Sequence, residues 1–190
     1  NLSDRGVIDP RKIGMGGHSF GSEATLWIAS NSDLLAAASV SSPAATPSWY
    51  WSHALQSGFR ERAINQWGLG SPEETPDRWR VLSPAYYTGK FDAPILMQMP
   101  EQEFRSAIEY FVKMRDQVLP VELWAFPHEP HIKFQPRHKL AAYDRNLDWF
   151  RFWLQNYIDP DPQKADQYRR WNEMRHRWLR ERARREADAG

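Results

Sequence analysis

The 190-residue chain contains no cysteine. That excludes a disulfide framework, a thiolate metal site and thiol catalysis. No apolar run approaches the ~18 residues that a membrane-spanning helix requires, and no secretory leader pattern is visible. A dominant charge is missing too: 25 Lys and Arg stand against 24 Asp and Glu, a net of +1. That balance argues against a general nucleic-acid binder. What the chain does have is length and 41% hydrophobic residues, enough for one globular domain with a real core. Aromatics are dense, with ten Trp, nine Phe and seven Tyr. They gather at Trp49-Tyr50-Trp51, at Trp124–Phe126 and from Trp149 to Trp153. The last two clusters read as core. The first lies in a Pro/Ser-rich stretch and is a candidate lining for a substrate cleft.

The most informative stretch is Gly17-His18-Ser19-Phe20-Gly21, a G-x-S-x-G sequence. Lys12 to Gly16 before it reads as the end of a short buried strand. After it, Ala24, Trp27 and Ile28 fall on one helical face. A serine on so sharp a turn is lifted out of the sheet, and flanking glycines allow the backbone path without a Cβ clash. This is the pattern of a nucleophile elbow in an α/β-hydrolase.

The rest of the chain alternates strands and helices. Leu34 to Val40 reads as a second buried strand, Pro94 to Met99 as a third and Val121 to Phe126 as a fourth. Phe104, Ala107, Ile108 and Phe111 mark an amphipathic helix, and Leu140, Tyr143, Leu147, Phe150 and Leu154 a long closing one. This order predicts an α/β fold with a doubly wound, mainly parallel sheet. Residues 44–91 lack strand alternation and read as an insertion between strands, with a helix from about Trp49 to Trp67. Beyond Asp159-Pro160-Asp161-Pro162 the tail changes character: Arg169 to Arg185 carries eight arginines, with Trp171, Met174 and Trp178 on one stripe. The interspersed Glu173, Glu181 and Glu186 favour a solvated helix docked by its two tryptophans over a nucleic-acid or anionic-membrane surface. The expected organisation is therefore a catalytic unit over 1–158 and a charged helical tail over 159–190.

A serine nucleophile needs a base, and the base needs an orienting carboxylate. In this fold they follow the serine in the order acid, then histidine, each on a loop after a strand. Glu101 and Glu103 follow the third strand; His128 and His131 follow the fourth. His18 adjoins the serine, but neighbouring side chains at such a turn are expected to point apart. His53, His138 and His176 read as surface or structural histidines, and Asp92 precedes its strand at the wrong end of the sheet. A metal centre on His128 and His131 would lack a third ligand, so no metal or other cofactor is expected.

Further stretches carry a resemblance. Ile8-Asp9-Pro10-Arg11-Lys12-Ile13-Gly14 with the Ser19 elbow, Ala93-Pro94-Ile95-Leu96-Met97 and Phe126-Pro127-His128-Glu129-Pro130-His131 are similar to the hydrolase domain of the prolyl oligopeptidase family. The family pattern has an aromatic residue, proline, then a glutamate and the catalytic histidine two residues later, which implies His131 as base. The family's His-Gly-x-x-Asp is replaced here by Met99-Pro100-Glu101-Gln102-Glu103, which puts Glu103 on the acid position. These departures resemble one branch, the lasso-peptide isopeptidases. The likeness extends through Ala38 to Pro43, Tyr50-Trp51, Trp67 to Pro76, Met97 to Glu101, His131-Ile132-Lys133 and Arg145 to Leu154.

The resemblance implies a Ser19–His131–Glu103 triad that opens the isopeptide bond of a threaded peptide ring through an acyl-enzyme. It implies the backbone N–H of Phe20 as one oxyanion donor, with the second upstream of this chain. The expected partner is a lasso peptide, with neither nucleic acid nor membrane involved. Trp49, Trp51 and Trp67 are candidate pocket residues by composition and place. A bacterial, cytoplasmic rather than periplasmic, setting is expected. Because the chain opens on Asn1 almost directly at the elbow strand, it reads as a C-terminal piece. An N-terminal β-propeller and the first hydrolase strands would then be missing, and the piece would fold poorly alone. The rivals are a linear oligopeptidase or acylaminoacyl-peptidase with the same triad, and an inactive hydrolase-fold binding module.

Overall fold

The computed structural model describes residues 2–43 and 58–189. Four strands, β1 (Gly14–His18), β2 (Ala37–Ser41), β3 (Ile95–Pro100) and β4 (Val121–Phe126), form one parallel sheet in the order β1-β2-β3-β4. Helices α1 (Phe20–Asn31) and α4 (Phe104–Asp116) cover one face. Helices α5 (Pro136–Gln155) and α6 (Ala165–Ala189) cover the other. The expected α/β class and doubly wound parallel sheet are what the structure has. No described helix is long and apolar enough to cross a membrane.

Strand alternation sorts the core into two clusters. Ala38, Val40, Ile95, Met97, Met99 and Val121 point to α1 and α4, where Leu26, Ala107, Tyr110 and Met114 meet them. Ala37 and Leu96 point the other way, onto Trp149, Phe152, Tyr168 and Trp171. Every residue of β3 is buried, as a central parallel strand between two helical layers should be.

Several sequence expectations need correction. β1 is not buried: its residues alternate between exposed and half-buried, because among the described residues it pairs only with β2. The inward stripe of α1 is Ser22, Thr25, Leu26 and Ala29, while Trp27 is 56% exposed. Polar Ser22 and Thr25 obscured that stripe, since both hydroxyls are satisfied by backbone carbonyls. In α4 the buried stripe is Ala107, Tyr110 and Met114, with Ile108 exposed. On α5, Leu140, Tyr143 and Leu147 face outward, and the core residues are Trp149 and Phe152.

The 44–91 region contains no described strand. Its described part holds α2 (Phe59–Trp67), α3 (Pro76–Leu82) and two 3-10 turns, Pro84–Tyr86 and Thr88–Lys90. Trp79 anchors it, buried and donating its indole N–H to Gly70 O at 3.1 Å. The tail is a helix, and Trp171 is fully buried, edge-on to Trp149. Its indole N–H donates to Glu122 Oε2 at 2.7 Å, and Arg170 binds the other oxygen of the same carboxylate. Trp178 packs on Trp153.

Candidate active site

Ser19, the two acids and the two histidines lie just past the C-terminal ends of their strands, where open α/β sheets place their ligands. Ser19 follows β1 directly and caps α1 with φ 56° and ψ −126°, a strained conformation for a residue with a Cβ. The turn closes only because position 17 is glycine. A Cβ there would stand 2.2 Å from the backbone of Gly21. Ser22 locks the elbow to β2: its Oγ lies 2.6 Å from Gly17 O and 2.7 Å from Ser41 O, and accepts from Ser41 N–H at 2.8 Å. The Ser19 N–H donates to Ser41 O at 2.8 Å.

The two acids and two histidines pair off. Glu101 Oε2 accepts the backbone N–H of His128 at 2.5 Å and stands 3.7 Å from its exposed ring. Glu101 thereby shapes the turn after β4. Glu103 Oε1 lies 2.8 Å from His131 Nδ1, and its side chain is 19% exposed. Glu103 begins α4 but its carboxylate caps no helix amide. The bond engages Nδ1 of His131, so Nε2 is its other ring nitrogen for exchange with a partner.

Two further histidines are engaged within the chain. His18 lies against the histidine loop: its ring centroid is 4.7 Å from that of His131. Burial, with His131 and Lys133 as positive neighbours, holds the His18 pKa below the ordinary imidazole value, against the pull of Glu103. His138 is structural, as expected, with Nδ1 2.7 Å from Glu129. Trp49, Trp51 and His53 lie outside the described residues. Trp67 ends α2, and its carbonyl accepts from Arg78 at 3.3 Å.

Sequence reasoning missed the supports. Glu129 is fully buried inside the histidine loop and accepts from Phe134 N–H, Gln135 N–H and His138. Lys133 donates to Ser41 Oγ and Gln98 O. The available signals were the charged residues flanking His131 and the serine pair closing β2, both of which look solvated in sequence.

A parallel sheet with a serine on a strained strand–helix turn at the end of its first described strand is that of an α/β-hydrolase. Residues 1–157 match the prolyl oligopeptidase family, and the chain belongs to it. It is 37% identical over 177 residues to the lasso peptide isopeptidase AtxE2 of Asticcacaulis excentricus, covering 92% of this chain and 25% of that protein. It is 27% identical over 156 residues to dipeptidyl-peptidase 5 of Porphyromonas gingivalis, covering 77% of this chain and 22% of that one. The solved AtxE2 isopeptidase with Astexin3-dC4 bound superposes with a TM-score of 0.82 at 36% identity, over 93% of this chain and 27% of that chain. An acylaminoacyl peptidase of Pyrococcus horikoshii, 22% identical with a TM-score of 0.66 over 86% of this chain and 27% of that chain, shares the fold. The chain thus spans about a quarter of the length of the curated relatives it matches.

Proposed function

We propose that this chain carries the nucleophile, base and acid of a serine isopeptidase that opens the macrolactam ring of lasso peptides. The observation that carries the reading is the Glu103–His131 bond beside the Ser19 elbow, in a chain 37% identical to an isopeptidase of that kind. Ser19 Oγ attacks the isopeptide carbonyl while His131 Nε2 takes its proton. Glu103 holds the imidazole and stabilises its charged form. The N-terminal amine of the ring leaves with the proton from His131, and an ester joins Ser19 to the Asp or Glu side chain of the peptide. Water, deprotonated by the same nitrogen, releases that side chain as a carboxylate. The Phe20 N–H, next after the nucleophile, is positioned in sequence to donate to the oxyanion. Removing one such donor typically costs ~3 kcal/mol in the transition state, and the partner donor is proposed to lie upstream in a longer chain. Trp49, Trp51 and Trp67 are proposed to line the peptide cleft, and an N-terminal propeller to complete the enzyme.

Mass spectrometry of a lasso peptide incubated with the full-length enzyme and with its Ser19→Ala form tests the reading. The expected product is single, Ser19-dependent, heavier by one water and newly sensitive to carboxypeptidase. Two shorter fragments, or cleavage of linear substrates alone, would point to an ordinary oligopeptidase instead.

A further inference from the structure

Lys133 follows the base by two positions and has no part in the chemistry above. Its ammonium is held by uncharged oxygens, Ser41 Oγ at 2.8 Å and Gln98 O at 3.0 Å, with the Phe126 ring 5.2 Å away. Ser41 Oγ donates in turn to Gln98 O at 2.7 Å, closing a triangle across the ends of β2 and β3. Burial lowers the Lys133 pKa, against the opposing pull of Glu129 and Glu103. A desolvated cation on neutral acceptors is a costly way to fill space, so the contact asks for a purpose.

Ser41 supplies one. Its carbonyl accepts the Ser19 N–H, and its own N–H donates to Ser22 Oγ inside the elbow. The residue that grips the nucleophile's backbone is therefore the residue that Lys133 grips from the histidine loop. Glu129 closes that loop on itself from the other side through Phe134, Gln135 and His138. We infer that Lys133 is a positioning residue: by tying the His131 loop to Ser41, it fixes the base relative to Ser19. The inference rests on the triad assigned above but not on the identity of the peptide cleaved.

The test uses the full-length enzyme and a fluorophosphonate, which reports serine activation whatever the natural substrate. A 1 Å misplacement can cost ~100-fold in rate. Lys133→Met should therefore slow Ser19 labelling by roughly ten- to a hundredfold, and lower kcat alike, with KM within about twofold and a cooperative melt retained. Ser41→Ala should slow labelling in the same direction. The double variant should be no worse than Lys133→Met, because both act through one contact. Labelling of folded Lys133→Met at the wild-type rate, or losses that multiply in the double variant, would overturn the inference. If Lys133→Met does not fold, Ser41→Ala decides alone, since it leaves the strand ladder intact; a wild-type labelling rate would overturn the tie. A wild-type enzyme that labels at Ser19 yet leaves lasso peptides intact would sink only the substrate reading. Absence of Ser19 labelling in the wild type would sink both.

Discussion

Glu103 and His131 stand 28 positions apart and meet at 2.8 Å, because each follows one of two adjacent parallel strands. The last register pair, Pro100 with Phe126, brings the two loops out side by side. The acid reaches the imidazole with the length of a glutamate. Glu103→Asp should draw the carboxylate back by one methylene and lower kcat/KM by roughly ten- to a hundredfold. Glu103→Gln keeps the length and loses the charge, and should lower it by about a thousandfold or more. Equal activity in all three forms, measured by ring opening or by fluorophosphonate labelling, would remove Glu103 from the mechanism.

The elbow and the four strands were legible in the sequence because each has a local signature, whereas the residues alone left Glu101 and Glu103, and His128 and His131, as alternatives. β3 is a near-continuous apolar run, and Gly17 and Ser19 sit in a motif whose geometry dictates its residues. What stayed hidden depends on which polar groups become buried. Ser22 and Thr25 face inward on α1 because backbone carbonyls satisfy them, so a periodicity count that favours apolar residues chose Trp27 instead. Leu140, Tyr143 and Leu147 mark a helix correctly yet give its core face wrongly, since the true face turns on the volumes of Trp149 and Phe152. Lys133 and Glu129 carry no local signature of burial, and both are held by contacts that only the tertiary structure closes.

The two glycines of the motif are not equivalent. A Cβ at position 17 would stand 2.2 Å from Gly21 C and O and 2.6 Å from Ser22 N, all backbone, so nothing can move aside cheaply. A Cβ at position 21 meets nothing within 4 Å. Gly17→Ala should destabilise by about 3 kcal/mol or more and abolish labelling of Ser19. Gly21→Ala should fold normally, with stability unchanged or raised by up to ~1 kcal/mol from its helical position. Thermal melts of the two variants separate these outcomes; a tolerated Gly17→Ala would contradict the elbow geometry.

Glu129 makes stability depend on acid pH. Burial pushes its carboxyl up, but hydrogen bonds from Phe134, His138 and Gln135 outweigh this and hold the pKa below the ordinary 4.5. The folded state therefore binds fewer protons than the unfolded chain in that range. The stabilisation is present above 4.5 and is lost as pH falls through the folded value. Glu129→Gln should be less stable than wild type at neutral pH, and urea midpoints should converge as the pH drops below 4.5. A gap that stays constant with pH would mean that the ionised carboxylate is not what the loop requires.

The arginine-rich tail is held by packing, and Trp171 is where that can be measured. Its ring is fully buried against Trp149, Phe152 and Tyr168, and its N–H donates to Glu122. Much of the helix's positive charge is already engaged within the chain: Arg170 binds Glu122, Arg182 binds Asp92, and Arg184 and Arg185 bind Glu181. Arg175 lies over Phe152, with its centre 3.7 Å from the ring centroid. A surface for nucleic acid would leave these groups turned outward and would tolerate loss of a single tryptophan. Trp171→Ala should instead lower stability by about 3–5 kcal/mol. Trp171→Phe keeps a ring but strands one oxygen of Glu122, and should cost about 1–3 kcal/mol. Because Trp171 packs on the sheet's helical face and not at the strand ends, the folded fraction of either variant should label at Ser19 at the wild-type rate. Wild-type melting of Trp171→Ala would show that the helix is not docked as described.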